Sequence, residues 1–181
     1  DILRARNGST VEIGNTDAEG RLILGDALAL ADEEAPELVV DMATLTGAAR
    51  TALGPDLPPL YTLTDELAAG LMAAGLASDD PLWRLPLHMP YESMLASKIA
   101  DINNAGAAPF AGSITAALFL KRFIKQSKDW AHLDIYAWAP ESRAGRPVGR
   151  DRRSPAARPS GCGSRPRSAP CDAAGSRRRP R

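Results

Sequence analysis

The sequence predicts an α/β domain with a mainly parallel central sheet, and three observations carry that prediction. Short apolar, strand-like runs alternate with helix-like segments along the first 140 residues. One run, Leu38-Val39-Val40 within Glu37 to Ala43, lacks strict alternation, the pattern of a strand buried on both faces of a parallel sheet. Apolar residues make up 44% of the 181 residues, enough for the core of one ordinary domain.

Asp1 to Ala5 and Thr10 to Ile13 read as paired strands joined at Asn7-Gly8, residues that favour positive φ. Asn15-Thr16-Asp17-Ala18-Glu19-Gly20-Arg21 then leads from strand to helix. In an extended segment Asp17 and Glu19 point the same way, about 7 Å apart along the backbone, and can converge on one cation or a pair. Arg21, at the mouth of the helix, offers a positive fork to an anion or a developing oxyanion. Helical spacing runs from Arg21 to about Glu34, and Pro36 ends it. Thr44-Leu45-Thr46-Gly47 follows the strand at Glu37 to Ala43, at the end where open α/β sheets bind ligands.

Leu60 to Leu63 reads as a short strand, and Thr64-Asp65 as the cap of a helix reaching about Leu76. The prolines of Trp83-Arg84-Leu85-Pro86-Leu87 predict an extended segment. Tyr91 to Ile99 reads as a helix and Asp101 to Gly112 as a long loop of the kind that often carries function. Ile114 to Lys125 has the strongest helical pattern, with Lys121, Arg122 and Lys125 in a basic last turn. Trp130 to Trp138 supplies the last strand.

Charge divides the chain in two. Residues 1–140 hold 10 Lys and Arg against 19 Asp and Glu, whereas residues 141–181 hold 12 Arg and 3 acids, so a net charge of zero hides halves of −9 and +9. The second part has Val148 as its only branched aliphatic residue and is expected to be disordered. From Arg150 to Arg181 its Arg, Pro, Ser, Gly and Ala composition is that of a G+C-rich coding strand read out of frame. That reading is favoured over a basic arm for nucleic acid, because aromatic residues for base stacking are missing. Both cysteines, Cys162 and Cys171, lie there, so the remainder has no thiol for a disulfide, a zinc knuckle or a nucleophile. The chain lacks both a membrane-span-length apolar run and a signal-peptide layout, so the expectation is a soluble, cytoplasmic protein. It begins with Asp1 and a strand-like Ile2-Leu3, as a fragment of a larger protein would.

Three readings fit the acidic stretch. It is a polar connection in which Asp17 caps the helix, or a calcium loop, or half of a two-metal site. The calcium-loop pattern matches at Asn15, Asp17, Glu19 and Gly20, but no helix precedes it and Asp26 replaces the usual Glu. Two divalent ions carry four positive charges and two carboxylates balance half of them, so a two-metal site needs further anionic ligands. His88 and His132 are too far apart in sequence for a zinc motif, and Asp134 is more simply a paired or edge residue. Ser113 lacks the second glycine of a nucleophile elbow, and Asp32-Glu33-Glu34 reads as a solvated helix end.

The string NTDAEGRL, Asn15 to Leu22, resembles the signature of the leucyl (cytosol) aminopeptidase family. DMATLTGA at Asp41 to Ala48, WRLPL at Trp83 to Leu87, the Asp101-Ile102-Asn103-Asn104 loop and WAHLDIYAW at Trp130 to Trp138 follow in the family's order, and the likeness runs from residue 1 to about Gly149. The resemblance implies a three-layer α/β sandwich with a mixed, mainly parallel sheet flanked by helices, assembled as a homohexamer. It further implies Asp17 and Glu19 as metal ligands, and Arg21 as the residue that holds bicarbonate or stabilises the tetrahedral species. Thr44, Leu45 and Gly47 would line the substrate channel. The implied reaction is release of amino-terminal residues, often Leu, from peptides by two Zn2+ or Mn2+ ions and an activated water. The family's other ligands, a lysine and two aspartates, and its second catalytic lysine precede NTDAEGRL in a segment that this sequence does not contain. This chain alone is therefore expected neither to bind two metals tightly nor to cleave peptides.

Overall fold

The computed structural model describes residues 1–106, 109–139 and 149–150. Its elements are β1 (Ile2–Arg4), β2 (Thr10–Glu12), α1 (Glu19–Asp32), β3 (Leu38–Ala43), α2 (Gly47–Leu53), β4 (Pro59–Tyr61), α3 (Asp65–Ala77), β5 (Trp83–Arg84), β6 (Ile102–Asn103), α4 (Gly112–Lys121), β7 (Asp129–Asp134), β8 (Trp138–Ala139) and β9 (Gly149–Arg150). Of residues 141–181, expected to be disordered, Gly149 and Arg150 form β9 against β8, and 141–148 and 151–181 lie outside the described residues.

Strand alternation sorts the side chains of the main sheet into two layers of core. The strand order is β3-β7-β4-β5, with β3 parallel to β7, β4 parallel to β5 and β4 antiparallel to β7, so the sheet is mixed and mainly parallel. Val39 and Trp130 face α1 and α4, where they join Leu28, Leu118, Phe119 and Phe123. Ala131 and Leu133 face the other way, with Leu60, onto Ala68, Leu71 and Met72 of α3. Helices therefore cover both faces, giving three layers. A smaller sheet, β1-β2-β6, packs Val11 and Ile102 into the first of these cores. Its β1–β2 hairpin turns at Asn7-Gly8 as the sequence predicts, with Gly8 at φ +86°.

Several local expectations change. The strand buried on both faces is β7, held between β3 and β4, whereas β3 alternates. Leu38, Val40 and Met42 are 43%, 42% and 48% exposed, because β3 forms the edge of the described sheet and α3 covers only its neighbours. The stretch expected as a helix from Tyr91 is a 3-10 turn over Met89–Leu95. Pro90 brings no amide hydrogen there, and the Ser93 hydroxyl donates to the Pro90 carbonyl in competition with the helix. Helix α4 stops at Lys121, and Arg122 to Lys125 turn away toward the carboxylate of Asp32. Thr64 precedes α3 without capping it, since its hydroxyl donates to Asp129 instead. The last strand breaks before Ala137, which has φ +56°.

Candidate active site

The parallel pairing of β2 with β6 brings the ends of two strands out side by side, so the residues after Glu12 meet those after Asn103. Asn104 is fully buried at that junction. Its Oδ1 accepts the amides of Gly14 and Asn15 at 2.8 and 3.1 Å, and its Nδ2 donates to the Asn15 carbonyl at 2.7 Å. The Asn104 backbone amide donates to the Glu12 carbonyl at 2.9 Å.

Downstream of this junction the acidic stretch is not extended. Asn15 Oδ1 accepts the Asp17 amide at 2.9 Å and starts a 3-10 turn over Thr16–Ala18, which runs directly into α1 at Glu19. Residues two apart on a helical path do not share a face, so the alternation that would aim Asp17 and Glu19 together is absent. The cap is Asn15 rather than Asp17. Both carboxylates are exposed at the start of α1, where the helix dipole favours negative charge.

Arg21 lies on the first turn of α1, and its Nη1 donates to the Asn104 carbonyl at 2.7 Å. The guanidinium sits 5.9 Å from the centre of the Phe119 ring. Burial pushes its pKa down and the Asp134 carboxylate pulls it back up, and an arginine so placed stays cationic. Arg21, Asn15, Ala18, Asn104, Gly112 and Thr115 are among the residues lining an open cleft of about 410 Å3. Asp17 and Glu19 stand outside that lining, on the same turn.

The loop at the end of β3 approaches this region from the other side. Asp134, the last residue of β7, is buried. Its Oδ1 accepts the amides of Leu45 and Thr46 at 3.0 and 3.1 Å, and its Oδ2 accepts the Thr46 hydroxyl at 2.6 Å and the Ser113 hydroxyl at 3.2 Å. The Tyr61 hydroxyl in turn donates to Ser113 at 2.7 Å; burial drives that phenol well above its ordinary pKa. A Cβ on Gly20 would meet Leu45 at 3.7 Å, so the loop after β3 and the start of α1 are neighbours. Thr44 and Gly47 are exposed and Leu45 is half-buried.

The structure thus brings Leu45 to the start of α1, which carries Arg21, while Asp17 and Glu19 are exposed on the same stretch of chain. Among the described residues no group of three or more His, Cys, Asp or Glu side chains converges to hold a metal. Asp17 and Glu19 fit such a site as hard oxygen donors and fall short of it in number. His132 is fully buried in the core, its Nδ1 2.5 Å from Asp41 Oδ1, while Asp41 Oδ2 accepts Trp130 Nε1 at 2.7 Å. His88 is an exposed residue edge-on to Tyr91. Asn104 and the anchoring role of Asp134 escaped the sequence reading. In sequence the signals for Asn104 are the adjacent asparagine pair in a long loop and the place of Asp101-Ile102-Asn103-Asn104 among the motifs of the family resemblance.

With this geometry in place, the chain compares closely with known proteins. A model of the cytosol aminopeptidase family catalytic domain matches residues 1–163, beyond the Gly149 limit of the recognised motifs. A probable cytosol aminopeptidase of Synechococcus sp. CC9311 is 50% identical over 151 residues, covering 82% of this chain and 30% of the relative. Peptidase B of Enterobacter sp. 638 is 51% identical over 139 residues, 76% of this chain and 32% of the relative. The crystal structure of a cytosol aminopeptidase from Coxiella burnetii superposes with a TM-score of 0.79 at 53% identity, covering 83% of this chain and 33% of that one. A mutant of tomato leucine aminopeptidase gives 0.76 at 42% identity, over 82% and 29%. The chain spans about a third of the length of these relatives. Its motifs, fold and matched residues agree, and the chain belongs to the cytosol aminopeptidase family.

Proposed function

We propose that this chain carries the Asp17, Glu19 and Arg21 part of a two-metal aminopeptidase centre, in a cytoplasmic enzyme that releases amino-terminal residues, often Leu, from peptides. The observation that supports it best is Arg21, a cation held in a cleft beside a turn bearing two carboxylates, in a chain half identical to cytosol aminopeptidases. Asp17 and Glu19 offer the hard oxygens that suit Mn2+, and that Zn2+ also accepts. When bound, the two ions supply Lewis acidity toward the scissile carbonyl and an activated water. The chain's own residues do the rest. Arg21, fixed through the Asn104 carbonyl, faces developing negative charge or holds a bicarbonate there. Thr44, Leu45 and Gly47 line the substrate channel, on a loop pinned by Asp134.

Two carboxylates balance half the charge of two divalent ions, so the remaining ligands come from the segment that precedes NTDAEGRL in the family. The homohexamer belongs to that complete enzyme. The purified chain is expected neither to bind two Mn2+ ions tightly nor to hydrolyse Leu-p-nitroanilide; tight binding of two ions with turnover refutes this. Fused behind the preceding segment of a relative it should hydrolyse that substrate, and Arg21→Ala in the fusion should lower kcat about 10²- to 10³-fold. An undiminished kcat overturns the role of Arg21. A noncatalytic assembly module holding one weak cation is the second reading, favoured by the small number of acids at the site. A fusion that folds and stays inert supports it.

A further inference from the structure

We infer that Asn104 is a positioning residue that sets the Asp17–Glu19 turn and the Arg21 guanidinium in one register; this rests on the site reading just given. Every polar group of Asn104 is committed to the segment that carries the candidate site. Its amide goes to Glu12, its Oδ1 to Gly14 and Asn15, its Nδ2 to Asn15 and its carbonyl to Arg21.

Asparagine meets all three of its side-chain partners at once. An aspartate accepts the two amides and has nothing to donate to the Asn15 carbonyl, and serine is too short to span both. An apolar residue leaves the Gly14 and Asn15 amides and the Asn15 carbonyl without the partners they have here. The turn and the guanidinium thus have a common reference point. A shift of Asn104 moves the acids through its side chain and the arginine through its carbonyl. Groups behind a metal or oxyanion site commonly act this way, by holding the contacting residues rather than by touching the substrate.

The test uses the whole chain, with amide exchange and arginine side-chain signals followed by NMR and Mn2+ titrated in parallel. Asn104→Ala should speed exchange at Gly14 and Asn15 about 5- to 10-fold, the factor expected for a lost hydrogen bond. It should shift the Arg21 side-chain resonances and weaken Mn2+ binding at least ~10-fold. Leu60→Ala, a core deletion on the far side of the sheet, should lower the thermal midpoint as much and leave those three readouts at wild-type values. Asn104→Asp keeps both acceptor bonds and should hold Gly14 and Asn15 exchange within about twofold of wild type. It also serves where the alanine variant does not fold, and fast exchange in it overturns the assignment. So do unchanged exchange in Asn104→Ala, or Leu60→Ala reproducing the changes. Wild-type Mn2+ binding that is indifferent to Asp17→Asn removes the metal-site reading instead. The exchange and arginine signals then still decide the role of Asn104.

Discussion

Asp32 closes α1 with a buried carboxylate whose oxygens accept the amides of Lys125, Gln126 and Ser127 and the Ser127 hydroxyl. Burial alone would raise its pKa, but Ser127, Gln126 and Lys125 together outweigh it and the net shift is downward. A folded pKa below the unfolded value of about 3.9 means the contribution is complete above that pH and lost as pH falls through the folded value. Asp32→Ala should cost about 2–3 kcal/mol in urea unfolding at pH 7, and the gap to wild type should close in acid. In sequence, Asp32 looks no different from Glu33 and Glu34, and all three read as a solvated helix end. Only the two glutamates are exposed, and the Glu33–Arg6 ion pair is a surface contact of little weight. What separates Asp32 is a turn more than ninety residues away, which no local pattern reveals.

Between elements, α1 and the turn that follows α4 approach closely because Gly25 has no side chain. A Cβ there would lie 2.9 Å from the Phe123 ring, which is itself buried and has nowhere to go. Gly25→Ala gains about 1 kcal/mol of helix propensity and loses about 1–3 kcal/mol to overpacking. Overpacking should win, and calorimetry should show a lowered thermal midpoint. The helices themselves were legible: α1 and α3 stand within about two residues of their sequence-read bounds, because apolar spacing and Pro36 are local signals. The acidic stretch was not, because the Asn15 side chain turns the backbone before alternation can develop. The polar run from Asn15 to Arg21 was legible as residues, and its hydrogen bonds to Asn104 were not. An uncharged loop asparagine declares its role only once β2 and β6 are paired.

For the molecule as a whole, the exposed apolar side of β3 is expected to direct association in solution. Leu38, Val40 and Met42 form an apolar row along a strand that pairs on one edge only among the described residues. Such a row invites association between copies. Val40→Lys should increase the monomer fraction in size-exclusion chromatography while leaving the thermal midpoint within about 1 kcal/mol equivalent, since the side chain points outward. Equal association of the variant and wild type would show that another surface is responsible. The strand order was beyond sequence reading because β3 and β7 are joined by register alone, across a long stretch of chain.

The tie from Asp134 to Leu45 and Thr46 spans 89 and 88 residues. A ribosome adding about 5–20 residues per second therefore leaves the nascent 44–47 loop without its anchor for roughly 4–18 s. The 44–47 loop is pinned only after the end of β7 has emerged, so a chain interrupted earlier releases helices and a hairpin with no fixed loop between them.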